Sequence, residues 1–317
     1  MLQKFGLAVS GISVTLYIAI CLLLRWGQTK LIFLPDSQIR STPQEFNLEY
    51  QDVWLDIGKD KVHGWWIEAT QPSAPALLYF HGNGSNNGDL TEIAAIFHQL
   101  GVSVLLIDYR GYGKSSPVFP NETRVYEDAE AAWHYLTREL EIEPGNIFVY
   151  GHSLGGAIAI ELAMEHPDMA GLIVEGTFTS MQNMARFTYG LKFFPLEWIV
   201  TERFDSIAKV GSLQTPILIL HGKSDRTIPP FMAEKLYAAA SEPKQLALIP
   251  QANHNNLPEF GGQQYLATLQ QFIHRAIGDR KFTPNSKINY SPSPQVPQSS
   301  RTHPRSDATP NYHVGSS

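Results

Sequence analysis

Gly151-His152-Ser153-Leu154-Gly155 sets a serine between two glycines, after the apolar run Asn146 to Tyr150 and before the Ala/Gly-rich stretch GGAIAIELA. A serine hydroxyl is a weak nucleophile until a base takes its proton and the backbone holds it clear of the surrounding chain. A strand, a sharp turn and a helix do the second job: the turn lifts Oγ above the sheet edge, and small residues on both sides leave room for it. The bare G-x-S-x-G pattern arises readily by chance. Its setting between a strand and a helix is what marks Ser153 as a candidate nucleophile.

Such a serine needs a base, and the base needs an orienting acid; in this arrangement acid and histidine follow the serine along the chain. Asp225 comes just after the run PILILHG and His254 just after QLALIP, so both fall where a loop leaves the C-terminal end of a strand. Asp225 is read as the acid and His254 as the base. Glu175 ends the run GLIVE on the same edge and is the alternative acid, whereas Asp108 comes too early. His98, His134, His166 and His274 fall on helical stretches, where surface or packing roles are ordinary. His81, His152 and His221 lie beside the site without following the acid.

Attack on a carbonyl builds negative charge on its oxygen, which needs prepared donors. The backbone N–H of Leu154 is one. The loop His81-Gly82-Asn83-Gly84 after the run ALLYF offers the Asn83 N–H as the second, a plain glycine turn being the alternative reading.

Two motifs suggest other chemistry and fail on spacing. Asp108 to Ser115 reads DYRGYGKS, but Asp108 stands where a phosphate loop requires its first glycine. Gly111-x-Gly113 meets Ser116 where a dinucleotide fingerprint needs a third glycine. No H-E-x-x-H occurs. No metal and no nucleotide cofactor are expected. The 317 residues carry 24 Lys+Arg against 30 Asp+Glu, a net charge of −6 that argues against a nucleic-acid partner. A single cysteine excludes an intrachain disulfide framework.

The elements that must position these residues alternate between Phe46 and Gly278. Short β-rich runs at Val62 to Ala69, Ala76 to Phe80, Ser103 to Asp108, Asn146 to Tyr150, Gly171 to Glu175, Pro216 to His221 and Gln245 to Ile249 are separated by helical stretches. Repeated strand–helix units predict a doubly wound, mostly parallel α/β sheet, with function on loops at the strands' C-terminal ends. Residues 177–213 break the rhythm with Phe178, Phe187, Tyr189, Phe193, Phe194, Trp198 and Phe204, and read as a small helical cap. Its aromatics either pack onto the sheet as ordinary core or wall an apolar acyl or aromatic substrate.

The ends differ from the middle. Phe5 to Leu24 carries no charge over a length that matches the hydrocarbon thickness of a bilayer, so residues 1–28 are read as a membrane anchor. A cleaved signal would also begin this way, but no A-x-A-like site follows; a buried core helix is the other alternative, unusual at an extreme terminus. Arg25, Lys30 and Arg40 after the span outnumber Lys4 before it, which favours a cytoplasmic main domain without fixing the side. Residues 29–282 form the catalytic domain. Residues 283–317, rich in Pro, Ser, Asn and Thr, read as a disordered tail.

The pieces LIFLPD, HGNGSN, DYRGYGKS, GHSLGG, HGKSDRTIP and the histidine of QANHNN, in this order, resemble the α/β-hydrolase superfamily. The likeness is to its membrane-anchored branch, which includes fungal and animal hydrolases with one N-terminal span and the animal protein depalmitoylases. The resemblance implies an α/β-hydrolase fold, a triad of Ser153, Asp225 and His254, and oxyanion donors at Asn83 and Leu154. It differs from the depalmitoylases, which attach through palmitoylated N-terminal cysteines, in having a full span and only Cys21.

The function expected is a single-pass membrane serine hydrolase that cleaves a carboxylic ester or thioester of an apolar acyl substrate. A serine peptidase of the prolyl oligopeptidase or aminopeptidase type is the alternative within enzymes. A non-catalytic membrane scaffold that keeps the hydrolase fold is the alternative outside them.

Overall fold

The structure is a computed structural model and describes residues 2–278 of the chain; the tail expected over residues 283–317 lies outside the described residues. Its centre is an eight-stranded sheet: β1 (Gln51–Ile57), β2 (Asp60–Ile67), β3 (Ala76–Phe80), β4 (Ser103–Asp108), β5 (Ile147–His152), β6 (Gly171–Glu175), β7 (Ile217–Gly222) and β8 (Lys244–Ile249). The strand order is β1-β2-β4-β3-β5-β6-β7-β8. β1 and β2 pair antiparallel, β2 joins β4 antiparallel, and every later pair is parallel. This is the mostly parallel α/β sheet that the strand–helix alternation predicts.

β1 is the element the sequence reading overlooks. Only Val53 and Leu55 of its seven residues are buried. An edge strand with one wet face shows few apolar residues and never makes the continuous apolar run of a central strand. β2 starts two residues earlier than expected because Ile57 pairs with Asp60 across a tight turn, where Gly58 takes φ 62°.

The central strands β3 and β4 are buried throughout. Successive side chains point to opposite faces, so the sheet feeds two cores. Leu78, Phe80, Leu105, Ile107 and Val149 meet Trp133, Ile158 and Met232 on one face. Leu77, Tyr79, Leu106, Phe148 and Tyr150 meet Phe97, Tyr265, Leu269 and Phe272 on the other. The first core is closed by α3 (Glu122–His134), α4 (Leu154–Glu165) and α8 (Phe231–Ala239). The second is closed by α2 (Thr91–Gln99) and α9 (Leu257–Ile277). α2 follows β3 on one face and α4 follows β5 on the other, so the chain leaves these neighbouring strands toward opposite faces at their carboxyl ends, where open α/β sheets bind their ligands.

Residues 177–213 fold as short helices: α5 (Met181–Asn183) running on into a wide turn through residue 188, α6 (Leu196–Ile199) and α7 (Ser206–Lys209). Ala185, Leu196 and Val200 make a small cluster of their own with Leu191 and Phe194. Before the sheet runs α1 (Leu2–Ile32), which extends past the expected end of the anchor at residue 28. Its segment Gly11–Ile32 is long and apolar enough, by length and composition, to cross a membrane.

The Asp108 to Ser115 motif has a structural use. Arg110 Nε donates to buried Asp128 of α3 at 2.6 Å, and the Arg110 backbone N–H donates to the same carboxylate at 2.8 Å. Gly113 sits at φ 50° where a Cβ would lie 1.8 Å from Asp108 Oδ2. The glycine therefore serves a tight turn over a buried carboxylate.

Helix α4 approaches the sheet so closely that a Cβ on Gly155 would lie 2.1 Å from the Phe80 carbonyl oxygen and 2.7 Å from that of His81. Backbone cannot swing aside as a flexible side chain can. Gly155→Ala should cost about 2–3 kcal/mol through overpacking, a fall of about 4–12 °C in Tm for a domain of this size. Thermal unfolding followed by circular dichroism measures it, and an unchanged Tm would contradict the close approach.

Candidate active site

Ser153 follows β5 at φ 55°, ψ −116°, a left-handed backbone that a residue with a side chain adopts only under constraint. Its N–H donates to the Glu175 carbonyl at 2.8 Å, and its own carbonyl accepts from Thr177 Oγ1 at 2.8 Å. A Cβ on Gly151 would lie 2.2 Å from the Gly155 carbonyl oxygen. The turn can therefore close only with glycine there.

The serine, the aspartate and the histidine meet although 72 residues separate the first two in the chain and 29 the last two. Ser153 Oγ lies 3.0 Å from His254 Nε2, and His254 Nδ1 lies 2.7 Å from Asp225 Oδ2. With Nδ1–H donating to the carboxylate, Nε2 is left as an acceptor for the serine hydroxyl. Asp225 Oδ1 accepts from the backbone N–H groups of Thr227 and Ile228 at 2.8 and 2.9 Å. Burial opposes ionisation of Asp225, but hydrogen bonds from His221 and His254 and from the Ile228 N–H outweigh it. They hold the carboxyl well below the usual carboxylate range.

Glu175, the alternative acid, is engaged elsewhere. Its Oε2 accepts from Tyr150 at 2.5 Å and from Tyr265 at 2.9 Å, and burial raises its pKa. Two of the histidines set aside on chain order still touch the site. His152 Nε2 donates to the His254 carbonyl at 3.1 Å, with ring centroids 5.0 Å apart. His221 Nε2 donates to the Ile228 carbonyl at 2.8 Å and lies 3.3 Å from Asp225 Oδ2. His81 lies under the loop after β3, its ring 4.3 Å from that of Tyr109.

The loop after β3 runs against the elbow, since a Cβ on Gly82 would lie 3.2 Å from Ser153 Cβ and 2.8 Å from His152 Nδ1. Leu154 opens α4, and first-turn N–H groups have no intrahelical acceptor. The Asn83 side chain does something that backbone reasoning alone misses. Its Oδ1 accepts from the Leu34 N–H at 2.8 Å and from Tyr112 OH at 2.9 Å, while its Nδ2 donates to the Ile32 carbonyl at 2.5 Å. Asn86 likewise donates to the carbonyls of Asp36 and Gln38. The LIFLPD and HGNGSN segments thus occur together because one holds the other; their joint presence was the only signal for it in the chain.

The site's histidines make its fold sensitive to acid. Burial, then the nearby His254, pushes the His152 imidazole down to about 3. An unfolded histidine takes its proton near pH 6.5, at about the ordinary imidazole value. Between those values the unfolded chain binds more protons, so stability falls as pH falls. Asp225 adds to this at the lower end: its contribution is present above the ordinary carboxylate range and is lost as pH drops through its lowered folded value. His152→Gln removes the first effect. Its urea midpoint should drop less than the parent's between about pH 7 and about pH 4.5; equal drops would contradict a dry His152.

A family model described as serine aminopeptidase, S33, matches residues 71–207. The chain is 36% identical over 247 residues to protein bem46 of Schizosaccharomyces pombe, covering 73% of this chain and 79% of that protein. It is 30% identical over 299 residues to the alpha/beta hydrolase domain-containing protein WAV2 of Arabidopsis thaliana, covering 87% of this chain and 94% of that one. Its fold is similar to that of the Pyrococcus furiosus esterase Pf2001, with a TM-score of 0.65 and 19% identity over 77% of this chain and all of that chain. With this sheet order, a serine elbow after β5 and relatives of this similarity over most of their length, the chain belongs to the α/β-hydrolase family.

Proposed function

We propose that this hydrolase is a single-pass, membrane-anchored serine enzyme that cleaves a carboxylic ester or thioester of an apolar acyl substrate through an acyl-enzyme. The observation that supports it most is the continuous relay from Ser153 Oγ through both nitrogens of His254 to Asp225 Oδ2, at 3.0 and 2.7 Å. Ser153 Oγ attacks the substrate carbonyl carbon as His254 Nε2 takes the hydroxyl proton, and Asp225 stabilises the imidazolium that forms. The N–H groups of Leu154 and Asn83 receive the oxyanion. The tetrahedral intermediate collapses as the C–O or C–S bond breaks, and His254 returns the proton to the leaving group. Water then repeats the sequence on the acyl-serine, with His254 as base, and releases the acid.

The domain organisation proposed is an anchor over 1–28, a hydrolase domain over 29–282 with its cap at 177–213, and a tail over 283–317. Support for the anchor is the length and apolarity of Gly11–Ile32. Support for an apolar acyl group is the aromatic content of the cap, with Phe187, Tyr189, Phe193 and Trp198 all exposed. Flanking cations favour the cytoplasmic side for the domain. A peptidase reading is favoured by one observation, the serine aminopeptidase description of the matching family model. It would accept peptide amides, although residues 177–213 allow only a small cap.

A fluorophosphonate probe should label the parent protein and fail to label Ser153→Ala. Hydrolysis of p-nitrophenyl esters should drop by at least about 10⁴-fold in Ser153→Ala, and by about 10⁴-fold in Asp225→Asn, which keeps the shape but presents the wrong tautomer partner to His254. Labelling that persists in Ser153→Ala would overturn the proposal. Turnover of peptide amides without turnover of esters would favour the peptidase.

A further inference from the structure

Helix α1 is in register with the cap along a stretch of its length, and that register sets the cap's depth. The Tyr17 ring stacks on Phe194 with centroids 5.4 Å apart and planes at 15°, and Tyr17 OH donates to the Phe193 carbonyl at 3.0 Å. Further along, the Arg25 guanidinium donates to the Trp198 carbonyl and lies 4.9 Å over its ring. Gln28, only 7% exposed, donates to the Ile199 carbonyl at 3.0 Å and accepts from the N–H groups of Thr201 and Glu202 at 2.8 and 3.1 Å. The cap ascends beside the helix from Phe193 to Glu202 as the helix rises from Tyr17 to Gln28.

Arg25 is the first charge after the uncharged run Phe5 to Leu24 and marks where the helix leaves the hydrocarbon. Tyr17 lies eight residues before it, a distance of about 12 Å along a helix axis. One leaflet's hydrocarbon is about 15 Å deep. A cap segment that touches Tyr17 therefore lies beside the membrane-embedded part of the helix rather than above it.

The composition of that segment agrees. Phe193 is 80% exposed, Tyr189 65% and Phe187 52%, a density of exposed aromatic surface that water does not favour. Residues 181–196, MQNMARFTYGLKFFPL, contain Arg186 and Lys192 and no acidic residue. Long cationic side chains can bury their stems and keep their heads at an anionic surface. The Lys192 ammonium lies 5.3 Å over the Phe193 ring, a fold-back that covers aromatic surface with the stem.

We propose that cap residues 186–196 insert into the same leaflet that α1 enters, so the hydrolase is held by a helix and a shallow aromatic wedge together. The partner is the acyl layer of a phospholipid leaflet with anionic headgroups. The inference rests on the reading of α1 as a membrane anchor. It narrows the substrate class to acyl compounds that reach the enzyme from within the leaflet.

The test uses the full chain in vesicles of phosphatidylcholine and phosphatidylglycerol. Cys21→Ser removes the native thiol, and an environment-sensitive fluorophore is attached in turn at Phe193→Cys, Leu16→Cys and Lys59→Cys. Leu16 is exposed on α1 and Lys59 is exposed on the β1–β2 turn. Circular dichroism melting confirms that each variant is folded. Phospholipids brominated midway along the acyl chain quench labels in hydrocarbon, and aqueous iodide quenches labels in water. The Phe193 label should show at least about half the bromine quenching of the Leu16 label, as its depth requires, and iodide quenching well below that of the Lys59 label. Bromine quenching at Leu16 alone, with iodide reaching Phe193 as it reaches Lys59, overturns the wedge and leaves the anchor standing. No bromine quenching at either removes the anchor and the wedge with it. A Phe193 label shielded from both quenchers denotes a protein partner on this face and also overturns the proposal.

Discussion

Ser153 is held at φ 55°, ψ −116°, and that backbone is tolerated only because neighbouring chain closes on it from every side. Its N–H and carbonyl are both bonded to the segment after β6, through Glu175 and Thr177. Gly151 and Gly155 are glycine because any Cβ there would overlap backbone. Strain of this kind costs on the order of 1–3 kcal/mol and persists only where the surroundings over-determine it. Two fully buried strand neighbours and a helix packed at glycine distance supply that over-determination. The register of β3, β5 and β6 is thus coupled to the placing of one hydroxyl.

The polar groups around the elbow are partitioned by charge. Asp225 collects donors from two histidines and two backbone N–H groups and keeps its charge. Glu175, deeper and faced by tyrosines, is pushed toward its neutral form by burial. His81 and His152 are both lowered by burial, so they bring hydrogen-bonding capacity without positive charge. In a proposed mechanism that builds an imidazolium on His254 and an oxyanion beside it, neutral neighbours avoid competing fields.

The chain outside the sheet is tied to the same place. The Asn83 amide grips the end of α1, and Tyr112 braces it, so the loop whose N–H is proposed as an oxyanion donor is fixed by the exit of the N-terminal helix. Phe33, just past α1, packs edge-on to Phe204 at the end of the cap, with ring centroids 6.0 Å apart. Helix, cap and loop therefore form one contiguous contact set.

Much of this is legible in the residues. Apolar runs too continuous for a half-wet sheet mark the buried strands, and their alternation with helical stretches gives the doubly wound layout, because strand length and burial on both faces are local properties of composition. The edge strand β1 escapes that logic, as it buries only Val53 and Leu55 and turns Trp54 outward between them. The motif order points to Ser153, Asp225 and His254, since a serine elbow and two post-strand loops are each local patterns, and the fold brings these three side chains within hydrogen-bond reach. Which acid reaches His254 is another matter: Glu175 and Asp225 share the edge, and only side-chain direction separates them, with Glu175 turned to two tyrosines. The Asn83 grip on Ile32 and Leu34, and the register of Tyr17 against Phe194, join segments 49 to 177 residues apart. No spacing rule reaches that far, because such contacts are set by how the sheet's two packed faces bring distant loops together. The sequence by itself determined the central elements and the chemistry proposed for them. The packing of α1, cap and elbow against one another was decided only when the chain closed.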